Sequence, residues 1–282
     1  MVHSVVASAG AVFALQNERL VKYGDDKQMA KTVEADLVKI KAAGDRIVGL
    51  VNGTKQARVY DLDLHEIATH EFPKRPSAFA VHSHDLVAAD KFGDVFRAAL
   101  ESPTDPKNLP TILGHMSVVL DAVLLERYII TGDRDEHIRV SRFPQSFVIE
   151  QFLLGHTAFV SHLAVHDDIL VSGGGDSFVL VWNWKTGEQL GKIDVGCPVI
   201  ALETAGGEAY IVPQDSTEVL VADLRTQEIR ERRAFNENVT CLAVQNADIL
   251  VGLANRVSGF AELPGHTDPI SEESLRKTNV AP

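Results

Sequence analysis

The sequence predicts an all-β chain arranged as a seven-bladed propeller, and three observations carry that expectation. Short apolar centres recur with turn residues on both sides: Val12-Phe13, Ile47-Val48, Leu86-Val87, Ile129-Ile130, Ile169-Leu170, Tyr210-Ile211 and Ile249-Leu250, spaced 35 to 43 residues apart. A period near 40 residues built of strand-like pieces marks a radial array, in which each unit buries its faces against its neighbours. Within the units, apolar residues alternate and β-branched residues are abundant, which is the period-2 pattern of strands. Finally, no stretch calls for a long helix.

The unit is clearest in the middle of the chain. There "FVSHLAV" reads as strand a, "DILVSGG" as strand b, "SFVLVWNW" as strand c and "QLGKIDV" as strand d, with "KTGEQ" supplying the turn between c and d. The following unit repeats the plan as "CPVIALET", "EAYIVPQ", "TEVLVADL" and "EIRERRAF". The segment "KTVEADLVKIKAAG" (31–44) has some helical character, but in register it falls on strand d of one blade and strand a of the next. Seven units fill residues 1–282 as one domain with no linker left over. The last blade has "VTCLAV", "DILVGLA" and "RVSGFAEL", and its outer strand is open. Either residues 1–3 or part of "PISEESLRKTNV" supplies it.

Composition narrows the function. The chain is 45% apolar and 23% charged, as expected of a globular protein with a sizeable core. Its formal net charge of −12 makes it a poor autonomous binder of nucleic acid, because phosphate contacts run on Lys and Arg. Cys197 and Cys241 lie in apolar stretches; two thiols make neither a zinc centre nor a disulfide framework, and they read as buried and reduced in a cytosolic or nuclear protein. No apolar run approaches the roughly 18 residues of a membrane span. The N-terminus lacks the basic region of a signal peptide.

Several motifs imitate active sites. Recurrent His, Ser and Asp suggest a hydrolytic triad, but they recur at fixed blade positions, which is a structural pattern. "SGGGDS" (172–177) resembles a phosphate-cradling loop, yet a strand rather than a helix N-terminus follows it. The eleven histidines are scattered apart from three Gly-His pairs, so no metal site is expected.

Those Gly-His pairs, at Gly114-His115, Gly155-His156 and Gly265-His266, carry a resemblance. The unit "LGHTAFVSHLAVHDDILVSGGGDSFVLVWNW" resembles a WD40 repeat residue by residue. His156 precedes strand a, Ser172 lies in strand b, Asp176 in the b–c turn and Trp182 in strand c. The resemblance implies that these four form a buried hydrogen-bonded tetrad. The preceding unit keeps His115, Thr131 and Asp135 at the matching positions and has Ser141 in place of the Trp.

A narrower resemblance rests on "DRDEHIRVSRFP" (133–144) followed by "LGHTAFVSHLAV" (154–165), with "AADKFGDVF" (88–96) in the blade before. These stretches resemble the WD40 non-catalytic subunit family of eukaryotic tRNA (guanine-N7)-methyltransferase. The resemblance implies a non-enzymatic scaffold that binds and stabilises a catalytic partner, with S-adenosylmethionine held by that partner and none here. It implies that tRNA is met mainly through the partner, forming N7-methylguanosine, in the nucleus and also in the cytoplasm. The competing reading is a generic WD40 peptide-binding adaptor, such as a ubiquitin-ligase substrate receptor or a chromatin reader. A metal-dependent propeller enzyme is the remote third.

Within the scaffold reading, "TGDRDEHIRVSRFP" packs far more charge into a turn than a turn needs. Asp135 is expected as the tetrad acid, leaving Asp133, Arg134 and Glu136 free to meet a partner. Lys91 and Asp94 project from the neighbouring blade's turn, and Phe159 and His162 from the adjoining d–a loop. Together they form a candidate patch of mixed charge with an aromatic anchor. His162, at the strand-a position held elsewhere by Asp121, Ala201 and Cys241, is either a packed histidine or an edge contact. Candidate tRNA contacts are Lys74 and Arg75 in "EFPKRPS", and Arg230, Arg232 and Arg233 in "RTQEIRERRAF"; a solvated strand edge is the competing reading for the latter.

Overall fold

The computed structural model describes residues 2–23, 29–245, 248–253 and 257–261. Six antiparallel sheets have four strands each, laid down in chain order so that strand a is innermost and strand d outermost. Blade 1 begins with Val2–Ser8 and blade 2 with Leu37–Ala43, and blade 3 opens with Pro76–His82. Blade 4 comprises Val119–Leu124, Tyr128–Asp133, Ile138–Arg142 and Ile149–Leu153. Blade 5 comprises Val160–His166, Ile169–Gly174, Phe178–Asn183 and Glu188–Asp194, and blade 6 runs from Val199–Ala205 to Glu228–Ala234. Residues 31–44 fall on two strands, Met29–Glu34 and Leu37–Ala43.

The expectation of seven complete blades is corrected. After six four-stranded blades comes a three-stranded sheet, Cys241–Gln245, Asp248–Gly252 and Val257–Ala261. Val2 and His3 do not supply a fourth strand to it, because they belong to the innermost strand of blade 1, paired with Ala11–Gln16, and Met1 lies outside the described residues. "PISEESLRKTNV", like Gly265-His266, lies outside the described residues.

The core lies between sheets rather than inside one. Val171, Val179 and Val181 of blade 5 pack on Leu202, Ile211 and Leu220 of blade 6. Phe72 of blade 2 meets Phe79, Leu86 and Phe96 of blade 3 in the same way. These strands read as apolar runs because both faces are covered. Burying each such side chain contributes about 1.5–3 kcal/mol.

Inner strands are also stitched to one another by polar side chains. Ser4 Oγ donates to the Ile40 carbonyl (3.3 Å) and accepts from Ile40 N (3.2 Å), joining blades 1 and 2. Ser77 Oγ donates to Val119 O at 2.8 Å between blades 3 and 4, and Leu163 N donates to Asp121 Oδ2 at 3.1 Å between blades 4 and 5. Thr240 Oγ1 donates to Val2 O at 2.7 Å, and Val2, Val5, Cys241 and Ala243 share one apolar cluster. The last sheet therefore packs against the first blade and closes the ring side to side.

Candidate functional site

On one face of the ring, the b–c turns and d–a loops of blades 3 to 5 touch in sequence. His115 N donates to Gly93 O (2.9 Å), so the blade 3 turn abuts the loop that enters blade 4. That approach requires glycine at 93. Its φ is +95°, and an added Cβ would lie 2.3 Å from the His115 carbonyl oxygen. Arg134 N donates to Val118 O (2.9 Å), tying the same loop to the blade 4 turn. Gly132 faces Val160 at the start of blade 5, and Gly175 N donates to Phe159 O at 2.9 Å. The result is a continuous rim from residue 90 to residue 176, built from five separate chain segments.

Underneath this rim sits a rigid polar frame. In blade 5, Trp182 Nε1 donates to Ser172 Oγ (2.9 Å), the serine hydroxyl bonds His156 Nε2 (2.7 Å), and His156 Nδ1 bonds Asp176 Oδ2 (2.8 Å). All four side chains are buried, and Phe178 stacks on the imidazole with its centroid 5.8 Å away. Burial pushes His156 below the usual histidine range, against the pull of Asp176. Four side chains joined in one hydrogen-bonded chain, with Asp176 Oδ2 also accepting from Thr157 N at 3.0 Å, fix the d–a loop and b–c turn relative to one another.

In blade 4 the sequence assignment of the acid needs correction. His115 Nδ1 bonds Asp133 Oδ2 at 3.0 Å and Nε2 bonds Thr131 Oγ1 at 2.7 Å, so Asp133, not Asp135, closes the frame. Asp133 is 3% exposed and is not available to a partner. Its other oxygen accepts from Asp135 N (2.9 Å) and His137 N (3.0 Å), so one carboxylate shapes the turn and anchors the histidine. Burial opposes its charge, but the bonds from His115 and the His137 amide prevail and hold the carboxyl below the usual range. Asp90 shapes the blade 3 turn in the same way, accepting from Phe92 N (2.7 Å) and Asp94 N (3.2 Å), without a histidine to anchor. The shared signal, an Asp opening both "DKFGD" and "DRDEH", was readable in the sequence.

Arg139, a further charge of that stretch, faces inward. It is 8% exposed and donates from Nε to Ser141 Oγ (2.8 Å) and from its two terminal nitrogens to Gly114 O (3.0 Å) and Ser146 O (2.9 Å). Residues 139 and 141 share a face of the strand, so the guanidinium serves where blade 5 uses Trp182.

Above the frame, Arg134, Asp135 and Glu136 are exposed; Arg134 makes only a loose ion pair with Asp135 at 3.5 Å. Lys91 is exposed, and Lys74 and Lys91 lie 4.2 and 5.0 Å from the centre of the Phe92 ring, which is 57% exposed. Asp94 is half-buried and meets Lys74 Nζ at 3.4 Å. Phe159 is partly exposed and lies over Gly175. Phe92 and Met116 also belong to this rim, Met116 being fully exposed; nothing in their spacing marked them, because exposure at a loop tip leaves no periodic trace.

The remaining predicted residues fall in three places. His162 is not at an edge. It sits on the inner strand of blade 5 and lines the central channel with Lys39, Lys41, Asp121 and Glu203. Lys74 is engaged by Asp90 (3.6 Å) and Asp94 and joins the rim. Arg75 is exposed beside it. On strand d of blade 6, Arg230 pairs with Glu208 (2.6 Å), Arg232 with Glu218 (3.6 Å) and Arg233 with Glu231 (2.5 Å), so that edge carries compensated charge. Among the described residues, no group of three His, Cys, Asp or Glu side chains is placed to hold a metal ion.

Comparison with known proteins bears on the fold and the family. In solved structures, a chain in the crystal structure of the mitotic checkpoint complex superposes with a TM-score of 0.80 over 92% of this chain and 89% of its own, at 16% identity. The computationally designed Ika8 protein superposes with a TM-score of 0.72 over 93% and 96% at 15% identity. These likenesses concern the fold alone. The tRNA (guanine-N(7)-)-methyltransferase non-catalytic subunit TRM82 of Debaryomyces hansenii is 35% identical over 201 residues, 64% of this chain and 45% of the relative. That of Meyerozyma guilliermondii is 41% identical over 167 residues, 55% and 40% respectively. That of Saccharomyces cerevisiae S288c is 37% identical over 164 residues, 53% and 37%. The chain thus matches less than half the length of these curated relatives. The profile described as the tRNA methyltransferase TRM82 WD40 domain matches residues 14–111 and 101–255, which include blades 2 to 6 entire and the whole rim. The all-β ring of residues 2–261 is therefore a WD40 propeller, and the chain belongs to the TRM82 WD40-domain family.

Proposed function

We propose that this chain is the non-catalytic subunit of a tRNA (guanine-N7)-methyltransferase, binding and stabilising a catalytic subunit through the rim of blades 3 to 5. The observation that carries the reading is the rim itself. Exposed Phe92, Met116 and Phe159 stand among Lys91, Arg134 and Glu136 on a frame fixed by two buried histidine networks. Apolar anchors amid charges that set register are the makeup of a specific protein interface. The names of the relatives imply a catalytic partner, since each is called the non-catalytic subunit of a tRNA (guanine-N(7)-)-methyltransferase; in this reading that partner holds S-adenosylmethionine and forms N7-methylguanosine in tRNA. The three-stranded sheet of Cys241–Ala261 serves as the seventh blade in this reading, because it packs between blade 6 and blade 1. The protein acts in the nucleus and meets tRNA mainly through its partner, with Arg75 and Lys74 the basic side chains nearest the rim.

The test is reconstitution with the catalytic subunit, wild type beside Arg134→Glu. The wild type should co-purify with it and support N7-methylation of tRNA guanine. Arg134→Glu should weaken binding about tenfold or more while moving stability by less than about 0.5 kcal/mol. Equal losses of stability and binding would make the turn structural. Failure of the folded wild type to bind would end the reading and direct the search to peptide partners.

A further inference from the structure

The central channel holds a polar belt that the scaffold role does not use. The void is about 550 Å³ and is ringed by inner strands from every blade and from the last sheet. Most of its lining is apolar or small. On one side, however, Lys39 and Lys41 of blade 2 reach across blade 3, whose inner strand lines the channel with the uncharged Ala80 and Val81, to Asp121 of blade 4. Both ammoniums share one carboxylate oxygen, at 3.3 and 3.0 Å, and Asp121 spends its other oxygen on Leu163 N. Lys41 donates once more, to Ala122 O at 2.8 Å. Three of the six ammonium hydrogens are thereby engaged. His162 of blade 5 and Glu203 of blade 6 complete the belt, and His162 Nε2 is buried with no hydrogen-bond partner.

We propose that this belt is a binding site for a small oxyanion, of the sulfate, phosphate or carboxylate kind, held by Lys39 and Lys41 and closed by Glu203 and His162. Two cations against one firmly ionised carboxylate leave an excess positive charge facing the channel, and a charge-assisted hydrogen bond to an anion there is stronger than a neutral one. Burial pushes Glu203 up to about 7, although Lys41 and Lys39 pull against it and Asp121 adds to it. Burial holds His162 down at about 4 despite Asp121. The other titratable groups at the channel are His3 on blade 1 and the thiol of Cys241 on the last sheet, pushed up to about 12 by burial. An entering anion repels an ionised Glu203 and favours its protonated form, which donates a hydrogen bond to the anion. Binding therefore takes up a proton and strengthens as pH falls through 7.

Calorimetric titration of the full-length chain with sodium sulfate, and separately with acetate, at pH 6 and pH 8 against ionic-strength-matched chloride, tests this. Neither anion changes charge between those pH values. The expected result is saturable binding of at least one of them at pH 6, with a dissociation constant of about 1 mM or below. It should be about tenfold weaker at pH 8. Sulfate binding alone assigns a phosphate-like ligand, and acetate binding alone a carboxylate. Lys39→Gln, at a partly exposed side chain, should weaken binding about tenfold. Glu203→Gln should bind equally at both pH values. No saturable heat at either pH overturns the proposal. Unchanged affinity in Lys39→Gln, or unchanged pH dependence in Glu203→Gln, identifies an adventitious ion only. None of these outcomes bears on the rim, so the scaffold reading stands or falls separately.

Discussion

Arg139 buries a guanidinium and directs its donors at three neutral oxygens, and this explains how blade 4 survives without the tryptophan of its neighbour. Removing it strands Ser141 Oγ and Ser146 O in a dry interior. Arg139→Leu should therefore cost about 2–4 kcal/mol, measured by chemical denaturation. If the guanidinium substitutes for the missing indole, then Arg139→Leu/Ser141→Trp should recover about 1 kcal/mol or more over the single variant, with Thr131 accepting as Ser172 does from Trp182. A double variant no more stable than the single one would mean the two blades solve different problems. Trp182 is 2% exposed and bonded to Ser172, so Trp182→Ala should cost about 3–5 kcal/mol. A loss below about 1 kcal/mol would remove it from the core. At this scale the sequence was half legible. The WD40 resemblance implied the tetrad of His156, Ser172, Asp176 and Trp182. Carried over to the preceding blade it misled on Asp135, because the blade 4 acid stands two residues earlier in the chain and reaches the same histidine from the strand end.

Strands were the most legible level, since alternation and turn chemistry are local signals that the period of the array reinforces. The inner strands show where this stops. A residue facing the channel and a residue facing a partner occupy the same register, so His162 was open between two readings until the ring placed it beside Lys39, Lys41, Asp121 and Glu203. Those five residues come from four blades, and no sequence window contains them together. Their mutual burial makes a pH prediction. Glu203 titrates near 7 in the folded chain against 4.5 for an ordinary glutamate, so folding binds a proton there and stability rises as pH falls from 7 to 4.5. His162 titrates near 4 against 6.5, so folding releases a proton and stability falls as pH drops from 6.5 to 4. The two effects oppose one another over most of that window. Compared with wild type, Glu203→Gln should lose thermal stability on acidification from pH 7, and His162→Asn should gain it relative to wild type from pH 6.5 downward. Melting curves of the three proteins, overlaid from pH 4.5 to 8, check the sign. Parallel curves would mean that both groups sit in water.

The whole molecule is a ring whose last sheet packs on its first blade, and whose charge is strongly negative. The ring makes the rim rigid. Loops from three blades are held by frames at His115 and His156, so an interface there is preorganised and pays little to bind. The charge bears on the nucleic acid. With a formal net charge of −12, and with Arg230, Arg232 and Arg233 already paired to carboxylates, the propeller repels a polyanion over most of its surface. Each phosphate contact contributes to a linear fall of log affinity with log salt, so the slope counts contacts. The isolated chain should bind tRNA weakly at physiological salt, with a slope corresponding to about one or two phosphates. Lys74 and Arg75 are the side chains to supply them. Addition of the catalytic subunit should tighten binding and steepen the slope, because the partner brings the cations. Filter binding across a salt series, with and without the partner, measures both quantities. Tight binding by the isolated chain with a steep slope would move tRNA recognition onto the propeller, and Lys74→Glu/Arg75→Glu would then abolish it. A shallow slope unchanged by that double variant would leave the propeller with the protein partner alone.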